Sequence, residues 1–410
     1  MTEDLAEARD ELRTVARDLL RKADLNAGVE WQLLADAGWL GLEAPAVLGG
    51  ADATFAELAV ILEELGRAAA RSPYLGVVVL GVGTLTQLEP APVRDQLLRD
   101  VVSGAVIPAV ALNDATRDGV EGRPPFRLER SSSGLRMHGS AGFVPDAPDA
   151  GRLLLLALDP DGVPAVVDAQ PSEPGLSVTA QPVLDPTRRF GLVSADSVEV
   201  SEKSLWRFTG DPQAAARRLF DRAAVAVACD SLGLSEAMLA ATVGYAKTRE
   251  QFGRPIGSFQ AVKHACADML VKICVARQLV TTAAAQLAAD NPEASVAVSM
   301  AKSYTCAGAV EVAGKAMQLH GGIGYTWESG IHVYLKRAAL NRAIFGSPAA
   351  HRRRLAVRYQ RQPDLSGDAE HYRTVRPSTG TDRQDPEAQA MLLDFDRAAA
   401  HRSVAVDARG

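Results

Sequence analysis

Two short segments carry residue types whose spacing suits ligand chemistry. The first runs from Tyr245 to Gln260 and contains Arg249, Phe252, Gly253, Pro255, Gly257 and Ser258. A helical pattern ends near Arg249, and Pro255 with Gly257 prevents its continuation until a new helix is capped near Ser258. Arg249 then stands at a helix boundary, where its planar fork matches two oxygens of a pyrophosphate. A surface arginine capping helix carbonyls fits the same position. The second segment is Gln318, Leu319, His320, Gly321, Gly322, Ile323, Gly324, Tyr325, Thr326, Trp327 and Glu328. Its glycines permit positive φ and let a ligand approach the backbone, and they equally suit a plain helix C-cap followed by a turn.

The elements that must position these segments come in three blocks. Residues 1–104 are helical, with Leu12, Val15, Leu19 and Leu20 at helical spacing and a second amphipathic run from Trp31 to Trp39. A turn-rich stretch with Gly38, Gly41, Pro45, Gly49 and Gly50 follows. Thr54 and Glu57 then form a capping box, opening a helix with Phe55, Leu58, Ile61, Leu62 and Leu65 on one side and a stop expected at Gly66. Residues 105–208 break into short apolar or alternating runs (153–158, 163–167, 194–200), which predicts a β-domain. No strand there leads into GxGxxG and a long helix, so a dinucleotide fold of the Rossmann type is not expected. Residues 209–362 regain helical period over 211–248, 258–288, 295–319 and 330–360, an antiparallel four-helix bundle with alanine-rich faces. Residues 363–410 are polar, with one amphipathic run at 388–399, and are expected to form a mobile tail or a subunit-clasping arm.

Composition narrows the function classes. With 410 residues, 47% hydrophobic and 23% charged, the chain predicts several globular domains. Its net charge of -6 argues against a nucleic-acid scaffold. No apolar stretch such as 153–158 approaches the ~20 residues that span a bilayer. Met1 to Leu5 lead directly into charged amphipathic sequence, so the expected location is the cytoplasm. Cys229, Cys266, Cys274 and Cys306 form no CxxC pair and read as small core residues.

Together, at their separation and in this helix, sheet, helix order, the RxxFGxPI-plus-FQ and QLHGGxGY segments resemble the acyl-CoA dehydrogenase family. The resemblance covers about residues 7–360, including Gly139, Phe143 and Ala147 at the spacing of the family's β-domain. It implies an α+β fold: an N-terminal helical domain, a central β-domain and a C-terminal four-helix bundle, with FAD held between them and across a subunit interface. Carried over by position, Arg249, Phe252 and Gln260 contact the FAD diphosphate and adenosine from one subunit. Gln318, Gly321 and Gly322 line the FAD of a neighbouring subunit. In this family a carboxylate takes the α-proton of an acyl-CoA thioester while the β-hydrogen leaves as hydride to the flavin. An electron-transfer flavoprotein or similar acceptor is the implied electron partner.

The sequence departs from that pattern where the base belongs. The glutamate of the family's Tyr-Glu-Gly-Thr motif falls on Phe345, and the alternative glutamate position in the first bundle helix falls on Ala223. Nearby carboxylates are Asp221 and Asp230, of which only Asp230 shares the helical face of Ala223; Glu328 is a third candidate. The expected Thr-Glu and Gly-Ser-Asp residues after the first strand are replaced by the segment from Ala111 to Asp118, and Ala141 stands where a lysine is usual. Arg352, Arg353 and Arg354 suit a CoA phosphate, a solvated face or a subunit contact.

Three readings follow. One is a homotetrameric acyl-CoA dehydrogenase with a displaced base such as Asp230. The favoured one is the partner-type subunit of a heteromeric bacterial dehydrogenase for bulky, sterol-like CoA thioesters, completing FAD sites whose base lies on a homologous subunit in a tetramer of two-fold symmetry. The third is a flavin oxidase or monooxygenase on the same scaffold.

Overall fold

Salt links and apolar spacing together dock the first helix. In the computed structural model, which describes residues 2–21, 28–119, 123–132, 134–326 and 328–360, α1 (Thr2–Arg21) buries Ala16 and Leu20. Arg9, Arg13 and Arg17 reach Glu57, Glu63 and Glu64 of α3 (Phe55–Arg67). Between them lies α2 (Trp31–Asp36), shorter than the expected run because Gly38 turns left-handed at φ 75° and starts a separate 3-10 turn at Trp39. The Thr54–Glu57 capping box opens α3 as expected. Gly66 does not end it; the helix continues to Arg67. The reason is packing, since a methyl at Gly66 would run into the carbonyl of Asp230 and one at Gly233 into that of Glu63. The two glycines let α3 cross the first bundle helix at backbone contact. A fully buried π-helical turn (Leu75–Val82), the short α4 (Gly83–Leu85) and α5 (Pro92–Val102) complete the helical block.

The central block is a mixed sheet of β1 (Pro108–Ala111), β2 (Phe126–Ser131), β3 (Gly134–Pro145), β4 (Arg152–Leu158), β5 (Pro164–Ala169), β6 (Leu176–Gln181), β7 (Phe190–Val200) and β8 (Leu205–Trp206). The order is β6-β7-β3-β2-β4-β5-β8, with β1 paired parallel to β4. The apolar run in β4 has a two-sided purpose. Leu154 and Leu156 point to the core shared with the helices, while Leu153, Leu155 and Ala157 point to the sheet's own core.

The bundle comprises α6 (Pro212–Thr248), α7 (Gln260–Ala288), α8 (Ala294–His320), α9 (Ile331–Ala343) and α10 (Pro348–Gln360), with the small hairpin β9 (Glu250–Gln251) and β10 (Arg254–Pro255) after α6. By length and composition α6 passes for a membrane span, but 78% of its most apolar window is buried inside the protein. The single helix expected over 330–360 is two, broken at Ile344 to Ser347, where Phe345 and Gly346 take φ of 54° and 84°. The α7 N-cap is Phe259 without a side-chain cap, not Ser258, which belongs to a 3-10 turn (Ile256–Ser258). Cys229 and Cys306 are core residues as expected; Cys266 is half-buried and Cys274 exposed, because α7 turns one face outward. Met1–Arg358 pack as one unit. The 363–410 tail lies outside the described residues.

Candidate functional site

The two motif segments meet at one end of the bundle. Tyr245 near the end of α6 stacks on His320 at the end of α8 with ring centroids 4.5 Å apart, and the His320 ring is fixed by the Ala316 carbonyl at 2.8 Å. Beside this stack a groove of about 470 Å³ is lined by Phe252, Ile256, Phe259, Lys315, Gln318 and Leu319. Arg249 is the C-cap of α6 in extended conformation and is exposed, as the sequence requires of a residue at a helix boundary. Phe252 sits at φ 54° on the hairpin turn, 92% exposed, with its ring edge-on to Phe259. Arg254 lies over the Phe259 ring at 4.3 Å. Gln260 and Gln318 are exposed on neighbouring helix ends. Lys315 donates to the Gln318 amide oxygen at 3.2 Å, which leaves that amide's N–H groups for a ligand. Of the expected glycines only Gly321 takes positive φ, 61°; Gly321 and Gly322 face open space, while Gly324 packs against the Met317 carbonyl. An aromatic ledge, exposed cations and bare backbone make a groove that suits an adenosine diphosphate.

The position expected to hold the base is sealed. Phe345 is 1% exposed and packs edge-on to Phe220 at 6.4 Å. Its N–H donates to the Ala115 carbonyl at 2.6 Å, and its carbonyl accepts from His351 Nε2 at 2.9 Å. Ser347 donates through both its N–H (2.9 Å) and its hydroxyl (2.7 Å) to Asp118, which also takes Arg353. The loop between α9 and α10 is thereby latched onto the 111–118 segment, the place where the family's flavin-ring residues are missing. Burial lowers the His351 pKa to about 3, so the ring is neutral and Nε2 carries the proton it donates. Lys302, fully buried, donates to the Asn341 carbonyl at 2.8 Å and fixes the last turn of α9 just before the loop.

Among the described residues, the candidate carboxylates are either engaged or exposed on a loop. Asp230 is 1% exposed and accepts from Arg337, Arg188 (3.0 Å) and Asn341 (2.6 Å). Burial alone would raise its pKa, yet the two arginines hold the carboxyl below its usual range. Asp230, the candidate for a displaced base, is thus held as an ion-pair anchor with its lone pairs engaged. Ala223 is wholly buried in the core. Asp221 is bound by Ser295 and Arg354. Glu328 is an exposed loop carboxylate whose pKa is lowered by its own backbone N–H and Thr326. A larger cleft of about 650 Å³ opens between the N-terminal helices and the starts of α6 and α8. Its carboxylates are also engaged: Glu43 by Arg222, Asp290 by Arg218, and Asp211 as the N-cap accepting from Gln213.

Sequence reasoning missed Asp118, Lys302, Ser347 and His351 as members of the latch. Gly346-Ser347-Pro348 was the available signal, since glycine, a capping serine and proline mark a helix break and restart. Arg353 and Arg354 pair with Asp118 and Asp221; Arg354 is half-buried, whereas Arg352 and Arg353 are exposed.

Comparison with known proteins agrees with this architecture. The acyl-CoA dehydrogenase N-terminal domain family matches residues 2–105 and the C-terminal domain family residues 213–360. Acyl-CoA dehydrogenase IpdE2 of Mycobacterium tuberculosis is 32% identical over 328 residues, 79% of this chain and 85% of the relative. A variant of the Tcur3481-Tcur3483 steroid ACAD superposes with a TM-score of 0.75 at 30% identity, over 86% of this chain and 97% of that one. A chain of the ChsE4-ChsE5 complex from Mycobacterium tuberculosis gives a TM-score of 0.77 at 28% identity, covering 87% and 98%. With motif, fold and relatives in agreement, the chain belongs to the acyl-CoA dehydrogenase family.

Proposed function

We propose that this chain is the partner subunit of a heteromeric, FAD-dependent acyl-CoA dehydrogenase, lending the adenosine diphosphate half of a shared FAD site while the catalytic base lies on a homologous subunit. The observation that carries this reading is the buried Phe345, at the position where the family's motif has its glutamate, in a loop latched to Ala115 and, through Ser347, to Asp118. FAD supplies the electron sink when bound. The chain's own contribution is recognition: Arg249 takes diphosphate oxygens, Phe252 and Phe259 offer a ring face, Gln260 and Gln318 donate hydrogen bonds, and Gly321 and Gly322 admit the ligand to the backbone. The residues present fit that half of the cofactor and not the ring. Exposed apolar side chains support a subunit contact on the same bundle, with Phe252 and Tyr325 at 92% and 70% and Leu270 and Val271 of α7 at 51% and 62%. The likeness to a steroid ACAD supports a steroid-type acyl-CoA thioester as substrate and the likeness to the ChsE4-ChsE5 complex supports a two-chain assembly; we read these as α,β-dehydrogenation of a bulky, sterol-derived thioester in a heterotetramer. An electron-transfer flavoprotein or similar acceptor is the electron partner of this reading.

The test is the flavin absorbance and assembly mass of the chain purified alone and co-expressed with the product of the adjacent gene. A chain inert to acyl-CoA alone that gains FAD and acyl-CoA bleaching with its neighbour is the expected result. A yellow homotetramer bleached by an acyl-CoA overturns the partner reading. Arg249→Ala in the assembled complex is expected to lose FAD on dilution while far-ultraviolet circular dichroism stays unchanged; full retention of FAD removes that role from Arg249.

A further inference from the structure

A buried ionic cluster joins all three blocks of the chain, and its charges do not balance. Asp230 of α6 and Arg337 of α9 form its centre, Arg188 and Asp185 come from the β6–β7 connection, and Asp146 from the end of β3. Arg337 also donates to the Ala70 carbonyl at 2.8 Å and to Thr187 Oγ1 at 3.0 Å, so the cluster pins the helical block to the sheet. Three carboxylates thus face two guanidiniums. Asp230 receives the close donors of both arginines, and Asp185 Oδ1 is capped by the Thr187 N–H and hydroxyl at 2.9 and 2.7 Å. Asp146 is left with the N–H of Gly76, on the buried π-helical turn. It is 8% exposed and left-handed, with φ 57°. The turn is seated so closely that a methyl at Gly76 would stand 2.6 Å from Asp146 Oδ2. The charged groups facing Asp146 are Arg188, Arg189 and Asp149, and the last two pair with each other at the rim at 2.8 Å.

A carboxylate with one backbone donor and no guanidinium of its own is costly to bury, whereas the neutral acid is not. We propose that Asp146 is held as the neutral acid in the native chain, and that its ionisation loosens the seat of the β-domain on the Leu75–Val82 turn. Burial pushes its carboxyl up to about 7, against the pull of Arg188 and Arg189. The sign follows from linkage. Between the ordinary aspartate range near 4 and pH 7 the native state holds a proton that the opened state does not, so stability is lost as pH rises through that window and is level above it.

The experiment compares the full chain with Asp146→Asn, an uncharged side chain of similar shape. The ratio of the two urea unfolding constants is expected to change about tenfold per pH unit between pH 5 and 7 and then to level off. A ratio constant with pH overturns the proposal. Hydrogen exchange of the 75–82 amides in the wild-type chain keeps the test open if Asp146→Asn fails to fold. Their opening constants, corrected for intrinsic exchange and for the pH dependence of α6 core amides that report global opening, should rise by about fiftyfold from pH 5 to 7; unchanged constants overturn it.

Discussion

Phe345→Glu would restore a carboxylate where the family's motif has one, and the structure predicts that it will not restore a base. The phenyl ring is buried edge-on against Phe220, and removing such a side chain costs about 3–5 kcal/mol. The incoming carboxyl meets an aromatic edge in a buried site, and burial would raise its pKa. The loop remains latched through main-chain and Ser347 bonds to Ala115 and Asp118, which the substitution does not touch. Expected, therefore, is a stability loss of about 3–5 kcal/mol in a urea titration, with no flavin bleaching by an acyl-CoA in the chain alone. A Phe345→Glu protein within about 1 kcal/mol of wild type that bleaches flavin unaided would refute the sealed-site argument.

Asp230→Asn removes the one carboxylate that both Arg337 and Arg188 bond, and a loss of about 3–5 kcal/mol is expected. Near-unchanged stability in denaturant, together with lost turnover in the complex, would make Asp230 a catalytic candidate again. His351 gives a pH dependence of opposite sign to that of Asp146. Because burial holds its folded pKa at about 3, the unfolded chain takes a proton below pH 6.5 that the native chain refuses, and stability falls as pH drops from 6.5 towards 3. The full effect is about 5 kcal/mol. The difference in unfolding free energy between wild type and His351→Gln isolates it, and a difference independent of pH over that range would show that the ring is not held neutral.

Much of the fold was legible in local chemistry. The Thr54–Glu57 box, the helical spacing in α6, α7 and α8, and the short runs of β4, β5 and β7 are set by nearest neighbours and by periods of 3.6 and 2. Arg249 at a helix end and glycines after Gln318 were legible for the same reason, as breakers act within a few residues. The absence of a glutamate at Phe345 is likewise a fact of sequence alone. What tertiary structure decided is how distant groups share buried space. Gly66 reads locally as a helix stop, yet the close approach of α6 makes it a contact point within α3. Asp230 reads as a carboxylate on the right helical face, yet Arg188 and Arg337, far along the chain, claim its oxygens. The groove that joins Phe252 to Gln318, and the latch that joins Phe345 to Ala115, exist only because folding brings separate segments together. Whether a buried carboxylate is an anchor or a base depends on its partners, and those partners are supplied by the packing of the whole chain.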